Sequence, residues 1–326
     1  MWRTYFIVVK FNANGKKLIH CTLLNPALDC IYSVNNFQPG VTYVDSSVNV
    51  VPAGKGVNVA RVIATLGEQV CVTGLMPEND VNRSTQFLDR LGIDHSFITI
   101  PGSMRINTTI LDKNSRSITH INCTAETVGS EIQDQYEEYF SSVIHQNDLC
   151  CFSGSLPSGF ESSCYGSLIH KCTENGCTAL LDSRDDALKF GIRSRPSMIK
   201  PNLDELENFF GEQIRGVHHI ALKGKRLLDM GIEYVFISLG EDGMIAVHGN
   251  DCLLCSAPHV SAKDTVGCGD ALTAGLLVAR QRKFSFPEMC RIAVACGTSK
   301  ALHEGPGVIS SDEVWQLMED VEITAV

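Results

Sequence analysis

The chain has 326 residues, 44% of them hydrophobic and 20% charged, with a formal net charge of −10. This length and composition suit one large globular domain with a full core, and the acidic balance excludes nucleic acid or an anionic membrane as the main partner while leaving room for a local basic pocket. Fourteen cysteines in so long a chain read as the reduced thiols of a cytoplasmic protein rather than a disulfide framework.

Residues 1–17 (MWRTYFIVVKFNANGKK) end in a polar turn and read as an extra edge strand or a loosely held extension. YFIVV is too short for a signal peptide or a membrane span. The stretch 29–52 is rich in β-branched residues, carries the turn signal QPG and lacks helical periodicity, as does 104–122 with DKNS. Both predict hairpins outside the main sheet, a small β-lid over a ligand crevice whose exposed edges invite pairing in a homodimer. Between them AGKGVNVARVIATLG follows a β-like run and opens a helix with apolar Val59, Val62, Ile63 and Leu66. It reads equally as a plain strand-to-helix turn or as a site where Gly54 and Gly56 admit a ligand that Lys55 or Asn58 touches.

From about residue 130 the patterns alternate: EIQDQYEEYFSSVI helix, DLCCFSGSL strand, ESSCYGSLIHKCTENG helix, CTALLDS and SMIKPN strands, LDELENFFG and VHHIALKGKRLLDMGI helices, YVFISLG strand. EDGMIAVHG suggests an antiparallel pair, and the helices DALTAGLLVARQRK and FPEMCRIAVACGTSKAL close the chain. Apolar strands separated by amphipathic helices predict a three-layer α/β fold around a mainly parallel sheet. Cys252 and Cys255 form a C-x-x-C without a second pair and read as strand cysteines rather than half a zinc site.

In open α/β sheets ligands sit beyond the carboxyl ends of the strands. There the chain presents Asp29, Ser153, Ser155, Asp182, Lys200, Asn202, Glu205, Ser238 and Gly240. Near the C-terminus DTVGCGDALTAGLLVA puts Gly267, Gly269 and Asp270 at the mouth of an apolar helix. Alone it reads as a helix start or as an anion cradle with a base beside it. P-loop, dinucleotide and protein-kinase signatures are absent from the sequence.

The ordered set LNPALD, GKGVNVAR, MRINTTI, SGSLP, KPNLDE, ISLGEDG and TVGCGDA resembles the PfkB branch of the ribokinase-like carbohydrate kinases, in the subgroup of 1-phosphofructokinase and tagatose-6-phosphate kinase. The resemblance runs from about residue 18 to 320. It implies a ribokinase-like three-layer α/β/α kinase domain over 18–326, preceded by the extension 1–17, with the β-lid formed by about 29–52 and 104–122. It implies ATP- and Mg²⁺-dependent phosphorylation of a phosphorylated ketohexose, foremost fructose 1-phosphate to fructose 1,6-bisphosphate. Tagatose 6-phosphate and fructose 6-phosphate are alternatives within the class; a sugar-phosphate-binding regulator without catalysis is the alternative outside it.

By the same resemblance Asp270 matches the catalytic base and Gly267, Cys268 and Gly269 the anion hole. Asp29, Gly54 and Asn58 match sugar contacts; Lys55 and Arg105 match basic groups near the sugar phosphate, with Ser153 on the same rim. Asn202 and Glu205 form the N-x-x-E that orders Mg²⁺ and its waters, Glu205 as the metal-side carboxylate. Ser238, Gly240 and Thr265 match the nucleotide side with Asn202. Three departures stand out: Ala53 for the usual first glycine, MPENDVNRS (76–84) for a glycine-rich stretch, and Cys268 for the usual alanine, which places a thiol beside the active centre.

Overall fold

The computed structural model describes residues 7–10, 17–44, 47–115 and 117–326. Its first elements are β1 (Ile7–Lys10), β2 (Ile19–Leu23), β3 (Ala27–Val34), β4 (Ser47–Ala53), α1 (Lys55–Thr65), β5 (Val70–Pro77), α2 (Val81–Arg90) and β6 (Asp94–Ile100). Then come β7 (Arg105–Asp112), β8 (Ile118–Asn122), α3 (Ser130–Val143), β9 (Leu149–Ser153), α4 (Cys164–Glu174), β10 (Thr178–Asp182), α5 (Asp185–Arg193) and β11 (Met198–Ile199). The chain continues through α6 (Leu203–Phe210), α7 (Val217–Asp229), β12 (Tyr234–Ser238), β13 (Met244–His248), β14 (Asp251–Ser256), α8 (Cys268–Gln281), α9 (Phe286–Ala301), α10 (Ser311–Asp320) and β15 (Glu322–Ala325).

Among the described residues, one sheet has the order β1-β6-β5-β2-β9-β10-β11-β12-β13-β14-β15. Neighbours from β6 to β12 are parallel, while β1 at one edge and β13 to β15 at the other run antiparallel. Successive side chains on β9 point to opposite faces, as the pleat requires. Leu149 and Cys151 join the core under α1, α8 and α9, whereas Cys150 and Phe152 join the core under α3, α4 and α7. Helices therefore cover both faces of a mainly parallel sheet, the expected α/β/α layering. No helix among the described residues is long and apolar enough to cross a membrane.

The two β-branched stretches form a separate four-stranded sheet, β4-β3-β7-β8, with antiparallel pairs β3–β4 and β7–β8 joined by parallel β3–β7. Of the N-terminal stretch, residues 7–10 pair with β6 at the sheet edge; residues 1–6 and 11–16 lie outside the described residues.

Three sequence expectations need correction. Helix α5 stands where two strands were read in succession; its nine residues bury Leu188, Gly191 and Ile192, too short a stripe to register as a period. The strand at SMIKPN shrinks to the two residues of β11, since the chain turns at Pro201 into α6. The chain does not close on α9: Ser310 caps α10 by accepting a hydrogen bond from Glu313 N, and β15 then pairs with β14. The S-x-x-E spacing before DEVWQLM was the available signal.

The close seam between β2 and β5 depends on Gly74, where an added Cβ would lie 2.0 Å from the Leu23 carbonyl oxygen. Gly74→Ala should destabilise the fold by about 1–3 kcal/mol, the usual range for overpacking. An unchanged urea midpoint would show that this seam can open freely.

Candidate active site

The parallel strands end on one rim, where the N-termini of α1 and α8 meet. Gly54 is the residue before α1, so Lys55 and Asn58 fall on its first turns. Gly267 precedes α8 with φ 86°, a left-handed conformation that side chains disfavour, and places Cys268, Gly269 and Asp270 on the first turn. The two helix starts are tied by Asn58 Nδ2, which donates to Asp270 Oδ2 at 2.8 Å.

Below them Asp182 ends β10, 1% exposed. Its Oδ1 accepts from Lys55 Nζ at 3.0 Å and faces Lys200 Nζ at 3.4 Å, while its Oδ2 accepts from Thr273 Oγ1 at 2.8 Å. Burial pushes the Asp182 carboxyl up, but Lys200, Lys55 and the Thr273 hydroxyl together hold it below the ordinary carboxylate range. Burial works against the Lys55 ammonium, yet Asp182, then Asp270 and Glu205, raise its pKa and keep it charged. A Cβ at Gly269 would sit 3.6 Å from Lys200 Nζ, so this buried cation lies directly under the glycine turn.

The turn itself is braced from behind. Asp264 accepts from Val266 N at 2.9 Å and Gly305 N at 3.0 Å, and its backbone oxygen accepts from the fully buried Lys300 Nζ at 2.8 Å. Thr265 is exposed on this turn, and its carbonyl accepts from Cys268 N at 3.3 Å. Cys268 is half-buried, and burial raises its thiol, with Lys300 opposing. The thiol beside the centre is thus a weak nucleophile at neutral pH.

Facing these helix starts, the lid sheet presents alternate residues. Arg105 pairs across from Ala27 and Asn107 from Asp29. Asn107 Nδ2 donates to Asp29 Oδ1 at 2.9 Å, and Arg105 Nη1 donates to Asn107 Oδ1 at 3.0 Å. Between lid and rim lies a cleft of about 920 Å³ whose lining includes Asn25, Lys55, Arg105, Ser153, Arg184 and Glu205. Three of its polar atoms, Asn25 Oδ1, Arg105 Nε and Ser153 Oγ, are buried without a hydrogen-bond partner among the described residues.

The structure brings together Asp29, Lys55, Asn58, Arg105, Ser153, Glu205 and Asp270 around this rim, through direct contacts or the shared cleft. Asn202 and Glu205 are engaged with each other: Asn202 N donates to Glu205 Oε2 at 2.9 Å and Glu205 N to Asn202 Oδ1 at 2.8 Å, a capping box on α6. Burial raises the Glu205 carboxyl, with Asp182 adding to it. Ser238 bridges Asn202 across the strand ends and Gly240 opens the following turn; neither lines the cleft. Sequence reasoning placed Asp182 and Lys200 on the rim without a role and did not name Asn107, Asn25 or Arg184. Asn25 and Asn107 lay inside the quoted LNPALD and MRINTTI, and Arg184 directly follows LLDS.

Burial raises the Asp270 carboxyl; Lys55 opposes this and Asp182 reinforces it. A carboxyl raised in the folded state costs stability above its folded pKa, and that cost vanishes as the pH falls below the unfolded value. Asp270→Asn, which retains a partner for Asn58, should therefore raise Tm at pH 7, with the gain fading below about pH 4. A lower Tm for the variant at pH 7 would mean that Lys55 and Asn58 outweigh burial.

Residues 23–313 match the model of the pfkB family carbohydrate kinases. A 1-phosphofructokinase of Vibrio cholerae is 30% identical, over 95% of this chain and 98% of the relative; one of Bacillus subtilis is 27% identical, over 94% and 99%. The crystal structure of phosphofructokinase-2 from Escherichia coli in complex with fructose-6-phosphate shares the fold, with a TM-score of 0.85 over 94% of this chain and 98% of that one at 21% identity. With the matched region spanning both helix starts and the lid, the chain belongs to the pfkB family of carbohydrate kinases.

Proposed function

We propose that the chain transfers the γ-phosphoryl group of ATP to a phosphorylated ketohexose, foremost fructose 1-phosphate, giving fructose 1,6-bisphosphate. The observation that carries this reading is a cleft with the Arg105 guanidinium on its wall and the Lys55 ammonium, which acts on Asp270, beside it, together with three polar atoms that have no partner among the described residues. A sugar phosphate supplies both kinds of partner: hydroxyls for Asn25 and Ser153, and a phosphate for Arg105. The relatives named 1-phosphofructokinase favour fructose 1-phosphate over tagatose 6-phosphate or fructose 6-phosphate.

In this reading Asp270 takes the proton of the acceptor hydroxyl, helped by a carboxyl raised toward working pH. Asn58 holds Asp270 in place. Backbone N–H groups of Gly267, Cys268 and Gly269 at the positive end of α8, with Lys200 beneath, stabilise charge on the moving phosphoryl group. Asp29, through Asn107 and Arg105, orients the sugar from the lid. Asn202, Ser238, Gly240 and Thr265 border the nucleotide, on the strand-end bridge and the exposed turn. A magnesium ion held on the nucleotide side by Glu205 would supply charge neutralisation for the phosphates. Glu205, on the wall of the cleft, would be the carboxylate on the metal side, because Mg²⁺ is commonly held by one or two carboxylates with phosphate oxygens and waters.

An ADP-release assay with ATP and Mg²⁺ should give a higher kcat/KM for fructose 1-phosphate than for tagatose 6-phosphate, fructose 6-phosphate or fructose. Asp270→Ala should lower kcat at least about a hundredfold, the lower end for loss of a general base, with ATP binding retained. Turnover of free fructose alone, or full turnover by the variant, would sink the reading.

The lid also supports a homodimer. Its period-two alternation puts Tyr32, Val48, Val50, Ile106 and Ile121, all at least 37% exposed, on the face away from Asp29 and Asn107. A second copy would cover this apolar face. Light scattering should give twice the chain mass, and Val48→Asp with Ile106→Asp should reduce it to one; a monomeric native protein would refute the pairing.

A further inference from the structure

Cys172 and Cys177 flank the end of α4, at the end of β10 opposite the cleft. Gly176 closes the helix with φ 68°. Its N–H donates to Thr173 O at 3.1 Å and the Cys177 N–H to Cys172 O at 2.9 Å. This double closure sets the side chain after the glycine against that of the third residue from the helix end, which here brings thiol to thiol. Cys150 on β9, paired with Ala179 two residues beyond Cys177, lies in the same core cluster as Cys172, and Cys177 packs against that cluster.

The three are not equivalent. Cys150 and Cys172 are buried while Cys177 is half-buried, open to a small solute. Hydrogen bonds from Cys150 and then Cys172 hold the Cys177 thiol below the ordinary cysteine range, whereas burial pushes both of those thiols up. As a thiol, Cys177 donates to His145 O at 3.1 Å. Among the described residues no group of three His, Cys, Asp or Glu side chains is arranged to hold a metal ion.

We propose that Cys172 and Cys177 are a dithiol that a hydroperoxide oxidises to a disulfide across the end of α4. The Cys177 thiolate attacks the terminal peroxide oxygen, the O–O bond breaks, hydroxide leaves from hydrogen peroxide (alkoxide from an organic hydroperoxide), and sulfur is oxidised to sulfenic acid. The Cys172 sulfur then attacks that sulfur: the S–S bond forms, the S–O bond breaks, and the Cys172 proton leaves with the hydroxyl as water. The peroxide is reduced by the two electrons that the thiol pair loses. This site is independent of the kinase reading, since neither cysteine lines the cleft.

Cleavage by trypsin after Lys171 and Arg184 isolates these two cysteines on one peptide, residues 172–184, with no third. Folded protein treated with hydrogen peroxide, then denatured and alkylated, should yield this peptide unalkylated and two hydrogens lighter than the dithiol, before any other cysteine is oxidised. Cys172→Ala should instead leave a sulfenic acid at Cys177 that dimedone captures. Doubly alkylated peptide 172–184 alongside oxidised cysteines elsewhere, or its cross-link to the peptide bearing Cys150, would overturn the assignment. The wild-type mass spectrum decides this even if the variant fails to fold.

Discussion

Asp182 sits at the end of β10 with two ammonium groups and a hydroxyl sharing its two oxygens. Each partner comes from a different element: Lys55 from the start of α1, Lys200 from just past β11, and Thr273 from one turn inside α8. Lys200 is 4% exposed and would be severely desolvated without a counter-ion. A buried ion cluster of this kind contributes little net stability, but removing one member is costly because an unpaired charge is left inside. What the cluster secures is register. Two helix N-termini and a cation are held at one point, where any developing negative charge would be met by all three.

Asp270 carries the opposite electrostatic character although it lies close by. The surroundings of Asp182 hold its carboxyl down, while burial and the Asp182 charge push that of Asp270 up. Two carboxylates in close quarters thus sit in environments that shift them in opposite directions. The cost of keeping Asp270 buried is borne by the surrounding α8–α9 core, where Ala271, Ala274, Leu276 and Cys296 are fully enclosed.

The lid sheet works by the strand period. Because neighbouring side chains on a strand point to opposite faces, the same β3 and β7 that turn Asp29, Arg105 and Asn107 toward the rim turn Tyr32 and Ile106 outward. A one-residue slip in register would exchange these sets, removing the polar chain from the cleft and burying apolar groups in it. Ligand contact and outer apolar face are consequently two readings of one alternation.

Much of this architecture was legible in the linear chain. Long apolar strands between amphipathic helices announced the covered parallel sheet, β-branched runs at 29–52 and 104–122 announced the second sheet, and the glycines before Asp270 announced a helix start of unusual chemistry. Local pattern carries such information because helix and strand periods are set by the backbone itself. Short α5, capped α10 and edge strand β15 escaped, since two or three apolar contacts leave no detectable period. The meeting of Asn58 with Asp270, 212 positions apart, and of Asp182 with Lys55, 127 apart, was decided by tertiary structure alone. That the two residues of N-x-x-E bond to each other as the cap of α6 likewise became visible only in the fold. The amino-acid sequence by itself determined which elements form and which residues stand at their ends; only the packing of those ends decided which charges meet, because a hydrogen bond between distant positions leaves no mark on the spacing of either.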